Sequence, residues 1–144
     1  MTPSVRGLHT AVFVDTSAFF ALADRTDRFH PVAVEFMRHH EGLLVTSNLV
    51  IYETLTLIRM RLGFEPAVRF GRRLFDEAIT PCLRVTTKDE SNAWTLFRRY
   101  RDKRFSFVDC TSFVLMERCG IRTAFAFDDD FRQLHKWIVL PTTL

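Results

Sequence analysis

Glycine and proline are scarce, five of each in 144 residues, which excludes collagen-like and low-complexity chains. Cysteine is scarcer still. The three, Cys82, Cys110 and Cys119, form no CxxC pair and leave an odd thiol under any pairing. A disulfide framework is excluded, and reduced structural cysteines are the expectation. No apolar run reaches the roughly 18–20 residues of a membrane-spanning helix. The first ten residues, MTPSVRGLHT, lack the apolar centre of a signal peptide, so a cytoplasmic protein is expected. Neither GxGxxG nor a phosphate-binding P-loop pattern occurs, which counts against a nucleotide-binding enzyme. With no repeat, low-complexity tract or linker, residues 11–144 read as one domain and residues 1–10 as a polar lead-in.

What the chain does contain is apolar. Hydrophobic residues make up 47%, with 15 Phe, enough for a full single core at this length. Charge is nearly balanced, 20 Lys and Arg against 17 Asp and Glu. If several carboxylates gather in one site, the remaining surface is more basic, as suits a polyanion held near bound cations.

The stretch AVFVDTSAFFALADR, residues 11–25, organises the rest. The β-branched run 11–14 fits a strand buried on both faces. Asp15 ends it, and an apolar helix follows to about Asp24, with Ser17 as a candidate N-cap and Asp15 as the competing one. A second helix is expected from Pro31, with His30 as a hydrogen-bonded cap in preference to a ligand. Residues 43–46 read as a second strand. Ser47 or Asn48 then caps a helix that carries Glu53 and ends near Gly63. Residues 65–79 form a fourth helix, basic through Arg69, Arg72 and Arg73. A third strand is expected at 83–86. The fifth helix presents Ala93, Trp94, Phe97 and Tyr100 as its apolar face and ends in RRYRDKR. That tail is a solvated helix end or a nucleic-acid contact through Arg98, Arg99, Arg101, Lys103 and Arg104. Asp109 lies in the first turns of a sixth helix. Strands at 123–127 and 137–140 close the chain, with a helix between them. Alternation of this kind predicts an α/β fold with a parallel sheet covered by helices.

Four acidic positions stand at strand or helix ends: Asp15, Glu53, Asp109 and Asp128. If the first and fourth strands are neighbours, their carboxyl ends form the switch point where ligands bind in open α/β sheets. Clustered carboxylates raise one another's pKa values and need a cation. Oxygen-only ligation favours Mg²⁺ or Mn²⁺ over zinc. The bland alternatives are a helix cap for Asp15 or Asp109 and an ion pair with Arg59 or Arg61 for Glu53.

In four segments, VFVDTSAFFAL, SNLVIYETLTLIR, FSFVDCTSF and AFAFDDDF, the chain resembles the PIN-domain family, especially the VapC-type toxin ribonucleases. The resemblance runs from about residue 11 to 141. It implies a three-layer fold around a five-stranded parallel sheet of order 3-2-1-4-5. It implies a metal-dependent endoribonuclease, the toxin of a toxin–antitoxin pair, with a cognate antitoxin and a homodimer. It puts Asp15, Glu53, Asp109 and Asp128 in the four acidic positions, with Asp130 as the alternative to Asp128 or a further metal ligand. Ser17 and Ser106 would support them by hydrogen bonds. A housekeeping RNA-processing nuclease and a non-cutting RNA- or protein-binding module are the rival readings.

Overall fold

The computed structural model describes residues 5–76 and 80–142. Five short strands form one parallel sheet in the order β3-β2-β1-β4-β5. They are β1 (Val12–Val14), β2 (Leu44–Ser47), β3 (Cys82–Leu83), β4 (Thr123–Phe125) and β5 (Ile138–Leu140). Every residue of β1 is buried, as its uninterrupted apolar run requires of a central strand. Helices α1 (Thr16–Ala23), α2 (His30–His39), α3 (Asn48–Leu62) and α4 (Phe64–Phe75) precede β3. Helices α5 (Thr87–Arg99), α6 (Phe107–Cys119) and α7 (Asp130–Gln133) follow it. The order of strands and helices is the expected one.

Phenylalanine fills the interior. Phe13, Phe19, Phe125 and Phe131 are fully buried, and the Phe113 ring stands edge-on to Phe131 at 5.0 Å. Phe36 of α2 packs on Phe125 of β4 at 4.0 Å. Gly63 sits between α3 and α4 at φ 111°, a conformation that a side chain strains, so the reversal needs glycine there.

Several boundaries differ from the sequence reading. Residues 5–10 are a 3-10 helix whose Leu8 is buried in the core, so the lead-in is not simply a polar arm. The third strand is Cys82–Leu83, because Thr86 leaves the sheet to cap α5. The fourth strand ends at Phe125 and the fifth helix at Arg99. The end of the expected fourth helix, residues 77–79, lies outside the described residues. Helix α5 also turns differently from expectation. Its buried side carries Asp89 and Ala93, with Leu96 and Tyr100 packed behind, while Trp94 is 52% and Phe97 40% exposed. His30 begins α2 one residue before Pro31, and its Nδ1 hydrogen-bonds the Ala21 carbonyl at 2.7 Å, tying α2 to α1.

Candidate active site

Strands β1 and β4 are neighbours, and the chain leaves them toward opposite sides of the sheet. Their carboxyl ends therefore make the switch-point crevice. The Asp15 N–H donates to the Phe125 carbonyl at 3.0 Å, which brings Asp15 to the end of β4.

Asp15, not Ser17, caps α1. Its Oδ2 accepts the Ser17 N–H at 3.2 Å and the Ser17 hydroxyl at 2.8 Å. The Ser17 Oγ in turn accepts the Phe127 N–H at 3.0 Å and the Asp128 N–H at 3.4 Å. One hydroxyl thus fixes the Asp15 carboxylate and the start of the 128–130 acidic run together. Asp15 caps α1 while standing at the switch-point crevice, so the two readings of it do not compete.

Asp109 is held by a capping box. Its N–H donates to Ser106 Oγ at 3.0 Å, and the Ser106 N–H donates to Asp109 Oδ2 at 2.9 Å. Ser106 and Asp109 thus exchange two hydrogen bonds. Asp109 is buried, and it faces Asp15 and Asp130.

The electrostatics link these groups into a ring. Burial pushes the Asp15 carboxyl up to about 7, against its bonds to Ser17, and the Asp128 charge adds to the rise. Burial also raises Asp109, as do the charges of Asp15 and Asp130 and a hydrogen bond with the Asp130 side chain. Asp128 is raised by its enclosure, then by Asp130, Glu53 and Asp129. Asp15, Asp109 and Asp128 are thus each raised by neighbouring carboxylates, with Asp130 beside Asp109 and Asp128, and Glu53 beside Asp128. Glu53 makes no ion pair with Arg59 or Arg61 among the described residues. Those guanidiniums instead lie over the rings of Phe64 and Phe20. Met60, expected on the same apolar face as Glu53, is 79% exposed.

Asp128 and Asp130 were alternatives in the sequence, and both stand in the ring on different neighbours. The approach of Asp130 to Asp109 is a tertiary relation with no signal in the sequence. Ser112 went unnoticed as well. It lies three residues beyond Asp109, on the same face of α6. Its buried hydroxyl has no hydrogen-bond partner, and neither has that of Thr16. The Cys110 thiol is pushed up to about 11 by burial and by Asp109 and Asp130, so it stays protonated and offers no nucleophile.

This donor set fits a hard divalent cation. All its members are oxygens, they repel one another, and two buried hydroxyls beside them are unsatisfied. Among the described residues, no three His, Cys, Asp or Glu side chains converge tightly enough to enclose an ion.

The basic residues divide. Arg69 and Arg73 line a cleft of about 940 Å³ together with Asp24, Arg25 and His30. Arg72 lines a different, mostly apolar groove between α3 and α4 with Leu55 and Phe64. Arg98, Arg99, Arg101 and Arg104 are exposed, and Lys103 pairs with Asp102 at 3.7 Å. No helix of the described residues is long and apolar enough to cross a membrane.

Comparison with known proteins agrees with this geometry. The PIN domain family matches residues 12–136. The 23S rRNA-specific endonuclease VapC20 of Mycobacterium tuberculosis is 38% identical over 121 residues, covering 83% of this chain and 91% of its own. Ribonuclease VapC26 of the same organism is 26% identical over 119 residues, covering 81% and 86%. The crystal structure of VapC20, described as a sarcin–ricin loop cleaving toxin, superposes with a TM-score of 0.81 at 35% identity. That match covers 85% of this chain and 94% of VapC20. A Pyrobaculum aerophilum protein superposes at 0.59 with 21% identity, covering 95% and 92%, and shows the fold alone. The chain belongs to the PIN-domain family, among its VapC-type ribonucleases.

Proposed function

We propose that this chain is the toxin of a toxin–antitoxin pair, an endoribonuclease that hydrolyses a phosphodiester bond in ribosomal RNA with Mg²⁺ or Mn²⁺. The observation that carries the reading is the ring of Asp15, Asp109, Asp130 and Asp128 at the switch point, in a chain 38% identical to a 23S rRNA-specific endonuclease. Asp15 and Asp109 would hold the ion, with Asp128 and Asp130 beside them adding negative charge. The ion supplies positive charge to the scissile phosphate and a lowered pKa to a water beside it. Glu53, at the edge of the ring, orients the attacking water and accepts its proton. Ser17 and Ser106 lock the Asp15 and Asp109 carboxylates before substrate arrives, so little reorganisation remains for the reaction step. The exposed arginines that follow α5 steer the RNA backbone, a contribution that salt weakens. A ribosomal substrate places the enzyme in the cytoplasm. A cognate antitoxin that covers the acidic ring, and a homodimer, complete the assembly.

The test is cleavage of purified ribosomal RNA and of intact ribosomes, with Mg²⁺, Mn²⁺ or EDTA, and mapping of every new end. The expected result is one dominant cut in a 23S rRNA hairpin loop that EDTA abolishes. RNA that stays whole with either ion, or cutting that EDTA leaves unchanged, overturns the proposal.

A further inference from the structure

We infer that Trp94 and Phe97 form a stacking platform for unpaired RNA bases at the end of α6 that carries Asp109. The inference rests on the RNA-cleaving reading above and goes beyond it by naming where bases bind. Trp94 and Phe97 are 52% and 40% exposed on one helix, in a chain that buries most of its phenylalanine. Their rings are nearly parallel, 16° apart, with centroids 6.0 Å from each other. Bases of any sequence can stack on exposed aromatic rings. The Arg98 guanidinium lies 5.5 Å from the Trp94 centroid and adds a cation to the same patch.

Position relative to the acidic ring follows from how α5 and α6 pair. The start of α5 is fastened to the end of α6, where Arg118 Nε and Nη2 donate to the two Asp89 oxygens at 2.8 and 2.9 Å. At the other end, Phe97 meets Phe107 edge-on at 6.1 Å. The helices are therefore antiparallel, and the C-terminal half of α5 stands beside the N-terminus of α6. Phe107 is two residues from Asp109. The patch thus lies at the end of α6 that carries Asp109, on a different side of that helix from the carboxylate.

Charge selects the occupant. Arg98, Arg101 and Arg104 are exposed here, against the two exposed acids Glu90, one turn before Trp94, and Asp102. A second copy docked through this patch about a two-fold axis would bring those arginines against their own copies, an unfavourable pairing. A phosphate backbone neutralises them while its bases stack.

The test uses Trp94 itself. The chain has two tryptophans, so Trp137→Phe leaves Trp94 as the one reporter. Titration is done in EDTA with a single-stranded RNA oligonucleotide and with the same oligonucleotide carrying abasic sites. Base-containing RNA is expected to quench Trp94 emission, and abasic RNA to bind more weakly without quenching. Trp94→Ala is expected to weaken binding roughly tenfold, and Trp94→Phe to restore most of it. Circular dichroism confirms folding, which an exposed site leaves intact. Equal affinity of wild type and Trp94→Ala, with unchanged emission, overturns the platform and leaves the nuclease reading standing. So does a Trp94→Ala protein that loses self-association in sedimentation but keeps its RNA affinity, because the patch is then a contact between copies. No RNA binding by either protein overturns both.

Discussion

Helices α5 and α6 open with the same device. In each, a hydroxyl caps the helix, an aspartate stands three residues later, and the two exchange hydrogen bonds in a capping box. Thr86 and Asp89 make one box; Ser106 and Asp109 make the other. Both aspartates are buried, and their local geometry is interchangeable. Their chemistry is opposite. Burial opposes ionisation of Asp89, but its bonds to Arg118 and Thr86 outweigh that and hold its carboxyl below the usual range. Asp109 has no cation. It meets Asp15 and Asp130 instead and is raised. A buried carboxylate with a bidentate arginine is finished, and one facing other carboxylates still needs a positive partner. The local motif builds the helix end, and the tertiary neighbours decide whether that end is a rivet or a site.

The largest effect that separates the two boxes is on stability. Asp89→Ala removes a cap and two charge-assisted bonds, and Arg118 turns to solvent. It is expected to destabilise the chain by about 2–4 kcal/mol in denaturant melts. Cleavage per folded molecule should stay at the wild-type level.

Next in size is the pH response of the metal-free protein. Asp15 is raised to about 7 on folding, from 3.8. Its stabilising contribution is complete below about pH 4 and is lost as pH rises through about 7. The metal-free protein is therefore expected to lose about 1–3 kcal/mol between pH 5 and pH 8, and Mg²⁺ to return most of it. Asp89, lowered on folding, acts the other way. Its contribution is present above its unfolded value and fades only below about pH 4. Thermal melts from pH 3 to 8 in EDTA and in Mg²⁺ should show both limbs. An Asp89→Asn protein should keep the upper limb and lose part of the lower one.

The smallest expected change is at Ser17. Ser17→Ala deletes the donor to Asp15 and the acceptor for Phe127, costing about 1 kcal/mol. Because that hydroxyl aligns Asp15 with the 128–130 run, the cleavage rate should fall about ten- to hundredfold, as for loss of a ligand's support. A rate that moves by less than twofold would mean that Ser17 only caps.

Much of this was legible in the chain. The apolar runs that end at Asp15 and near Asp128 mark the two central strands, and Ser47 ahead of α3 marks its cap. The PIN-like segments supplied the sheet order and the acidic positions. The illegible parts depend on distant partners. Trp94 and Phe97 read as core because apolar spacing cannot see that Asp89 is buried by Arg118, 29 residues away. That pairing turns α5 and puts both rings outward. Thr86 read as strand because its role as a cap depends on Asp89. The Asp128 and Asp130 ambiguity persisted because adjacent carboxylates differ only in which neighbour each one faces.

The central claim is that Asp109 is a site and Asp89 a rivet, and one paired measurement tests it most directly. Asp109→Asn and Asp89→Asn both keep side-chain shape and helix-capping ability. Metal-dependent RNA cleavage is measured per folded molecule for each, with stability from melts of the same samples. Asp109→Asn is expected to cut at least 100-fold more slowly, on the order of 3 kcal/mol of barrier, with stability unchanged or slightly higher. Asp89→Asn is expected to cut at the wild-type rate and melt earlier. If Asp109→Asn cuts RNA with Mg²⁺ as fast as wild type, the two capping boxes are equivalent and the account of the site is wrong.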